Sequence, residues 1–180
     1  MKLTDDSAVY VVDSQNQRHL FVNAPTFWTW YSGGWAKQKL ETISQSEFDN
    51  LKLGSNVRAR AGVNLVKFTN SNKVYAVLPD NHLCEASALY GGDWQSKAIT
   101  IQSGFENDYI KETGCQVTNK YPDGALIQYL GSSMIWYIED GLKHLVSANV
   151  FDLNKFKPEV VIKNVSANMV YETGWHLEKF

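Results

Sequence analysis

Apolar positions fall in short runs separated by polar turns, and the runs return in one order. The fullest set spans 65–114. Leu65-Val66-Lys67-Phe68 opens it, and Val74-Tyr75-Ala76-Val77-Leu78 follows a polar turn. After Pro79-Asp80-Asn81 comes the return strand His82-Leu83-Cys84. A short helical stretch at 87–90 ends at Gly91-Gly92, ahead of Trp94. Ala98-Ile99-Thr100-Ile101 is the next strand, and a turn carrying Phe105 and Tyr109 leads to Glu112-Thr113-Gly114. Runs of this length with β-branched and aromatic residues between turn signals predict strands.

Two further copies lie over this one. Val74-Tyr75 matches Val9-Tyr10 and Ile135-Trp136, and His82-Leu83 matches His19-Leu20 and His144-Leu145. Phe105 and Tyr109 match Phe48 and Leu51, and more weakly Val165 and Val170. Gly114 matches Gly54 and Gly174, and a spacing of about 60 residues is within the range of repeat architectures. Glu112-Thr113-Gly114 recurs as Glu172-Thr173-Gly174.

The predicted fold class is therefore α+β and β-rich. It has three tandem repeats of short strands plus one short helix each, as one repeat domain over 1–180 with units near 1–56, 57–116 and 117–180. The start of a further inter-unit strand after Gly174 leaves two expectations. The units close into a pseudo-threefold body, which protects exposed edges, or the chain is excised from a longer array.

The first unit carries the most aromatic patch. Asn23 is a candidate helix cap with Pro25 just inside. The helix would bear Phe27, Trp28, Trp30 and Tyr31 and end at Gly33-Gly34. Helical spacing puts Phe27, Trp30 and Tyr31 on one face, with Trp28 turned away. Ser44 is a candidate cap for a helix at 45–51. Strands at 57–60 and 117–120 recur between units, the second followed by Tyr121-Pro122-Asp123-Gly124. There Pro fixes φ and Gly permits a positive one. In the third unit Asp140-Gly141 between apolar runs predicts a tight hairpin.

Composition narrows the function classes. The 180 residues carry a net charge of −2, so no basic stripe marks a nucleic-acid partner. No apolar run reaches the length of a membrane span, and Met1-Lys2-Leu3-Thr4 shows no signal peptide. The two cysteines, Cys84 and Cys115, differ from their counterparts Phe21 and Val146, and Ser55 and Trp175, which reads as chemistry outside the repeat pattern. They either form a disulfide in an oxidising compartment or stay reduced as small hydrophobes.

Two phrases carry a family resemblance. One runs through 57–68, Lys73-Val74-Tyr75-Ala76-Val77 and Ala88-Leu89-Tyr90-Gly91-Gly92-Asp93-Trp94; the other is Tyr121-Pro122-Asp123-Gly124-Ala125-Leu126-Ile127. They resemble tandem repeats of secreted and cell-surface bacterial proteins, including candidate-phyla lineages. The resemblance covers nearly the whole chain. It implies an extracytoplasmic, non-catalytic surface module. On the return strand those repeats often carry Arg before an aromatic or Ile, where this chain has His-Leu three times.

The candidate chemistry is modest. His19, His82 and His144 sit at matched positions, and three His is a known zinc set. Each precedes a Leu, however, so an inward Leu turns the His outward, and no metal or cofactor is assigned. No nucleophile elbow and no metalloprotease helix occurs. Gly33-Gly34 and Gly91-Gly92 end short helices, the wrong polarity for a phosphate cradle. Asn164-Val165-Ser166 fits a glycosylation sequon. The aromatics are the best candidates, since Trp and Tyr stack on the C–H faces of sugars and offer rigid amphipathic area. Trp28, Tyr31, Trp35, Tyr90 and Trp94 are the candidate ligand residues, with Phe27 and Trp30 expected in the core and Trp28 and Trp35 exposed.

The expectation is a non-enzymatic extracellular or cell-surface module binding carbohydrate or cell-envelope polymer, with no catalytic residues. The first alternative is a purely structural surface-array module that meets neighbouring repeats or other copies of itself. The second is a hydrolase whose site the sequence does not reveal.

Overall fold

Val74–Val77 is buried along its whole length, which requires cover on both faces of its sheet. The computed structural model describes residues 1–31, 38–63, 65–91, 94–96 and 98–178. In it the chain is β-rich, with few and short helices. It divides into two compact units, Met1–Arg58 and Ala59–Phe180. Trp35, Gly33, Gly34 and Gly92 lie outside the described residues.

The first unit holds β1 (Lys2–Leu3), β2 (Tyr10–Val12), β3 (Gln17–Leu20), β4 (Thr42–Ile43) and β5 (Lys52–Leu53). β2 and β3 form a hairpin, tightened by Asp13, whose carboxylate accepts from the backbone of Gln15 and Gln17. β5 lies parallel beside β3, and β1 parallel beside β4. The amino terminus donates to the Tyr10 carbonyl at 2.7 Å and Tyr10 N–H returns to the Met1 carbonyl at 2.9 Å, which joins β1 to β2. α1 (Ala24–Trp30) is capped by Asn23, with Pro in its first turn, as its sequence predicts. α2 (Gln45–Asp49) starts from Ser44, and Glu47 completes a capping box.

In the second unit the first sheet contains β6 (Leu65–Phe68), β7 (Val74–Val77), β8 (His82–Glu85), β9 (Ile99–Ile101) and β10 (Ile110–Gln116), in the order β10-β8-β7-β6-β9. The second contains β11 (Leu126–Tyr129), β12 (Ile135–Glu139), β13 (Leu142–Val146), β14 (Ile162–Val165) and β15 (Glu172–Thr173), in the order β14-β11-β12-β13-β15. Both have an antiparallel three-strand centre with one parallel strand on each flank. The β12–β13 turn takes Asp140 and Gly141 into positive φ, the hairpin geometry its Asp-Gly dipeptide predicts. A 3-10 turn, Ala88–Tyr90, follows β8, and α3 (Ala148–Leu153) follows β13.

The cores of the two sheets are filled by Val66, Phe68, Leu83 and Ile101, and by Leu126, Ile127 and Ile138. Each sheet is tied to the segment that leads into it by a buried tyrosine. Tyr109 accepts from Ala59 N–H at 2.9 Å, and Tyr171 from Tyr121 N–H at 2.6 Å. Tyr171, not its neighbour Val170, thus plays in the second sheet the part that Tyr109 plays in the first. Between the sheets the backbones come so close that a Cβ on Gly62 would lie 1.7 Å from the Gly124 carbonyl oxygen. The strands expected at 57–60 and 117–120 are reduced to an isolated Phe21–Val57 bridge and to the end of β10 with a Val117 N–H to Glu85 bond.

Candidate binding cleft and the clasps beside it

The second unit contains an open cleft of about 590 Å³. Leu65, Ala76 and Val77 of β6 and β7 line it, with the Ala88–Tyr90 turn and Gly91, Tyr121, and residues 159–164 ahead of and along β14. Tyr90 and Tyr121 meet edge to face, 5.2 Å between centroids. Tyr121 donates its hydroxyl to the Leu89 carbonyl at 2.9 Å, which holds this wall together. The Tyr90 hydroxyl has no hydrogen-bond partner among the described residues. Burial, and then the neighbouring Tyr121, push the Tyr90 phenol above its ordinary pKa, so it stays a neutral donor and acceptor. Lys163 and Asn164, both exposed, and Glu159 supply the polar rim.

Four of the five candidate aromatics lie among the described residues, two in each unit. Tyr90 lines the cleft, and Trp94 is half-buried beside it, packed on the cluster of Leu65, Ala76 and Cys84. Trp28 and Tyr31 belong to the first unit and pack on its core around Phe21 and Phe27. Tyr31 stacks on Phe27 at 4.7 Å and lines a smaller hollow of about 310 Å³, while Trp28 meets Phe27 edge to face at 4.9 Å. The expected division between Trp28 and Trp30 is reversed. Trp28 is half-buried, whereas Trp30 is 39 % exposed and donates its indole N–H to the Arg58 carbonyl at 2.7 Å. Trp30 is the last residue of α1, and Tyr31 is already extended, so helical projection fails there. Sequence reasoning missed Tyr121, Lys163, Asn164 and Glu159. The signal for Tyr121 was present in Tyr121-Pro122-Asp123-Gly124, read as a turn and as part of the family resemblance but not as a binding wall.

Each hairpin's return strand is fastened to its parallel neighbour. His19 on β3 donates Nδ1–H to the Ser55 carbonyl at 2.7 Å, and its Nε2 lies 3.1 Å from the Asp13 carboxylate. His144 on β13 donates Nδ1–H to the Trp175 carbonyl at 2.8 Å. On β8 the fastening is a disulfide, Cys84–Cys115. The backbone bonds fix the correspondence. Val57 N–H reaches Leu20, Leu177 N–H reaches Leu145, and Val117 N–H reaches Glu85. One residue before each acceptor stand His19, His144 and Cys84.

His82 is therefore not the counterpart of His19 and His144. It lies two residues earlier, pairs with Ile110 and hydrogen-bonds the Glu112 carboxylate through Nδ1. Phe21 and Val146 are not the counterparts of Cys84 either, and the cysteines occupy positions at which the other hairpins carry a clasp. Among the described residues no group of three or more His, Cys, Asp or Glu is placed to hold a metal ion, and no helix is long and apolar enough to cross a membrane. No family model, curated protein or solved structure matches the chain.

Proposed function

We propose that this protein is a non-enzymatic extracellular or cell-surface module that binds carbohydrate or cell-envelope polymer. It is built from three copies of one clasped hairpin unit, and its ligand seat is the cleft beside Tyr90. One observation carries the reading: an open cleft within the size range of small-ligand sites is lined by an aromatic ring whose hydroxyl has no hydrogen-bond partner among the described residues. A sugar ring would lie against the Tyr90–Tyr121 wall and bond to the Tyr90 hydroxyl and to the polar rim of Lys163 and Asn164. The Cys84–Cys115 disulfide supports an oxidising, extracytoplasmic setting.

A glycan array with wild type and Tyr90→Phe tests this. The expected outcome is binding by wild type and about tenfold weaker binding by the variant, the loss of one hydrogen bond. A blank array for wild type would sink the reading. The structural-array alternative has its own support in the exposed apolar residues Leu53, Ile110 and Trp175, on or just past the outer strands β5, β10 and β15. It predicts concentration-dependent self-association in sedimentation velocity, lost on Leu53→Lys with Trp175→Lys.

A further inference from the structure

We propose that the Cys84–Cys115 disulfide is a redox latch on the cleft, and that opening it releases the turn carrying Tyr90. The consequence for ligand affinity rests on the carbohydrate reading above; the release of the turn does not.

The connection runs through a short chain of contacts. β10 pairs with β8 at Lys111 opposite Leu83 and again at Gln116 opposite Glu85. The residues between bulge out and are mostly exposed. Past the bulge, the segment is held by the Gln116–Glu85 pair, the Val117 N–H bond to Glu85 at 2.8 Å, and the disulfide. Val117 is buried, and its carbonyl accepts the Ser87 hydroxyl. Ser87 in turn caps the Ala88–Tyr90 turn, its oxygen accepting from Leu89 N–H at 3.3 Å and its carbonyl from Tyr90 N–H at 3.2 Å. The disulfide also shares a core cluster with Leu65, Ala76, Leu89 and Tyr90, all cleft residues. Cutting it removes the covalent fastening from the strand on which Ser87, and through it Tyr90, is braced.

The chemistry is thiol–disulfide exchange with a small dithiol. Cys84 is 2 % exposed and Cys115 is half-buried, so Cys115 Sγ is the sulfur open to attack. The reductant's thiolate bonds to Cys115 Sγ, the Cys84–Cys115 bond breaks, and Cys84 leaves as a thiolate that takes a proton. The reductant's second thiolate then attacks the mixed disulfide, closing a ring disulfide and releasing the Cys115 thiolate, which is also protonated. One S–S bond is lost in the protein and one formed in the reductant, with two electrons transferred. The clasps at His19 and His144 are hydrogen bonds and do not respond to this reagent.

The test is hydrogen exchange by mass spectrometry on the full chain, oxidised and treated with dithiothreitol, with Cys84→Ala/Cys115→Ala as a second sample. The expected result is a loss of protection of about tenfold or more in peptides covering 87–91 and 116–117, in reduced wild type and in the variant alike. Peptides covering β12 and β13 should lose clearly less protection than these. Equal protection in oxidised and reduced forms overturns the latch, and so does a loss spread evenly over the second unit. Glycan binding is measured on the same samples. Weaker binding after reduction supports control of the cleft, and unchanged binding despite the exchange response overturns that control. Absence of any glycan binding removes the carbohydrate reading while the exchange result still decides the latch.

Discussion

The junction beside β8 and the junctions beside β3 and β13 solve one problem with different chemistry. In all three a return strand must hold a parallel strand that bulges away after a short pairing. Beside β3 and β13 an imidazole reaches over a glycine to a backbone carbonyl. A Cβ on Gly54 or Gly174 would sit 2.4 Å from the ring of His19 or His144. Beside β8 the bulge holds more residues: four separate Lys111 from Gln116, against three, Gly54, Ser55 and Asn56, between Leu53 and Val57. A Cβ on Gly114 would meet nothing within 4 Å among the described residues, and φ is +76°, so it is glycine for its backbone and not for a ring above it. A longer excursion has more freedom to lose, and a covalent bond holds it where one hydrogen bond, worth about 1 kcal/mol net, holds the shorter ones.

The largest effect should come from removing the covalent clasp. The disulfide spans a sequence separation of 31, and constraining a loop of that size in the unfolded chain corresponds to about 3–4 kcal/mol. Urea unfolding of oxidised wild type and of Cys84→Ala/Cys115→Ala should differ by that amount. Equal midpoints would mean that the clasps are not comparable and that the bulge is held by its backbone bonds alone.

The histidine clasps should cost less, and unequally. His144 is 9 % exposed, and its Nε2 is buried without a hydrogen-bond partner among the described residues, so its ring is core as much as clasp. His144→Ala should cost about 2 kcal/mol, and His19→Ala, at a more exposed site, about 1 kcal/mol. Gly174→Ala should resemble His144→Ala, because the added methyl displaces the same ring. The double variant should fall well short of the sum, since both changes open one clasp. Full additivity in denaturant melts would break the link between the glycine and the ring.

The comparison also shows where the sequence was legible. Turn signals worked because their chemistry is local: Asp140-Gly141 made the β12–β13 turn, and Asn23 and Ser44 capped their helices. The glycine spacing has a local structural correlate: Gly54, Gly114 and Gly174 each stand three residues before an N–H that bonds back to the return strand, at Val57, Val117 and Leu177. The histidine match failed because register is set by backbone pairing over a distance. Glu112-Thr113 repeats Glu172-Thr173 by letter, yet the second pair forms β15 while the first lies in the bulge. That difference shifts the true counterpart from His82 to Cys84, and nothing local marks it. The cleft was legible only at Tyr90. Tyr121, Lys163 and Asn164 come from a different part of the chain, and the approach of the Gly62 and Gly124 backbones that brings the two sheets together has no periodic signature.

The smallest expected effect separates the two histidine clasps by pH. Asp13 is held below the usual carboxylate range, first by the Gln17 N–H and further by His19 and the Gln15 N–H. A carboxylate depressed in the folded state stabilises it above the ordinary value. That contribution is lost as pH falls through the folded value, so the β2–β3 hairpin should loosen as pH drops below about 4. The β12–β13 hairpin has no counterpart of this carboxylate, since His144 Nε2 has no partner among the described residues. Amide exchange followed by NMR down an acid titration should therefore show Gln15 and Gln17 losing protection while Lys143 and Leu145 stay constant. Asp13→Asn should flatten the response at Gln15 and Gln17 without touching the other hairpin. A response of equal size in both hairpins would mean that acid acts through general charge repulsion, and the carboxylate beside His19 would then add nothing to its clasp.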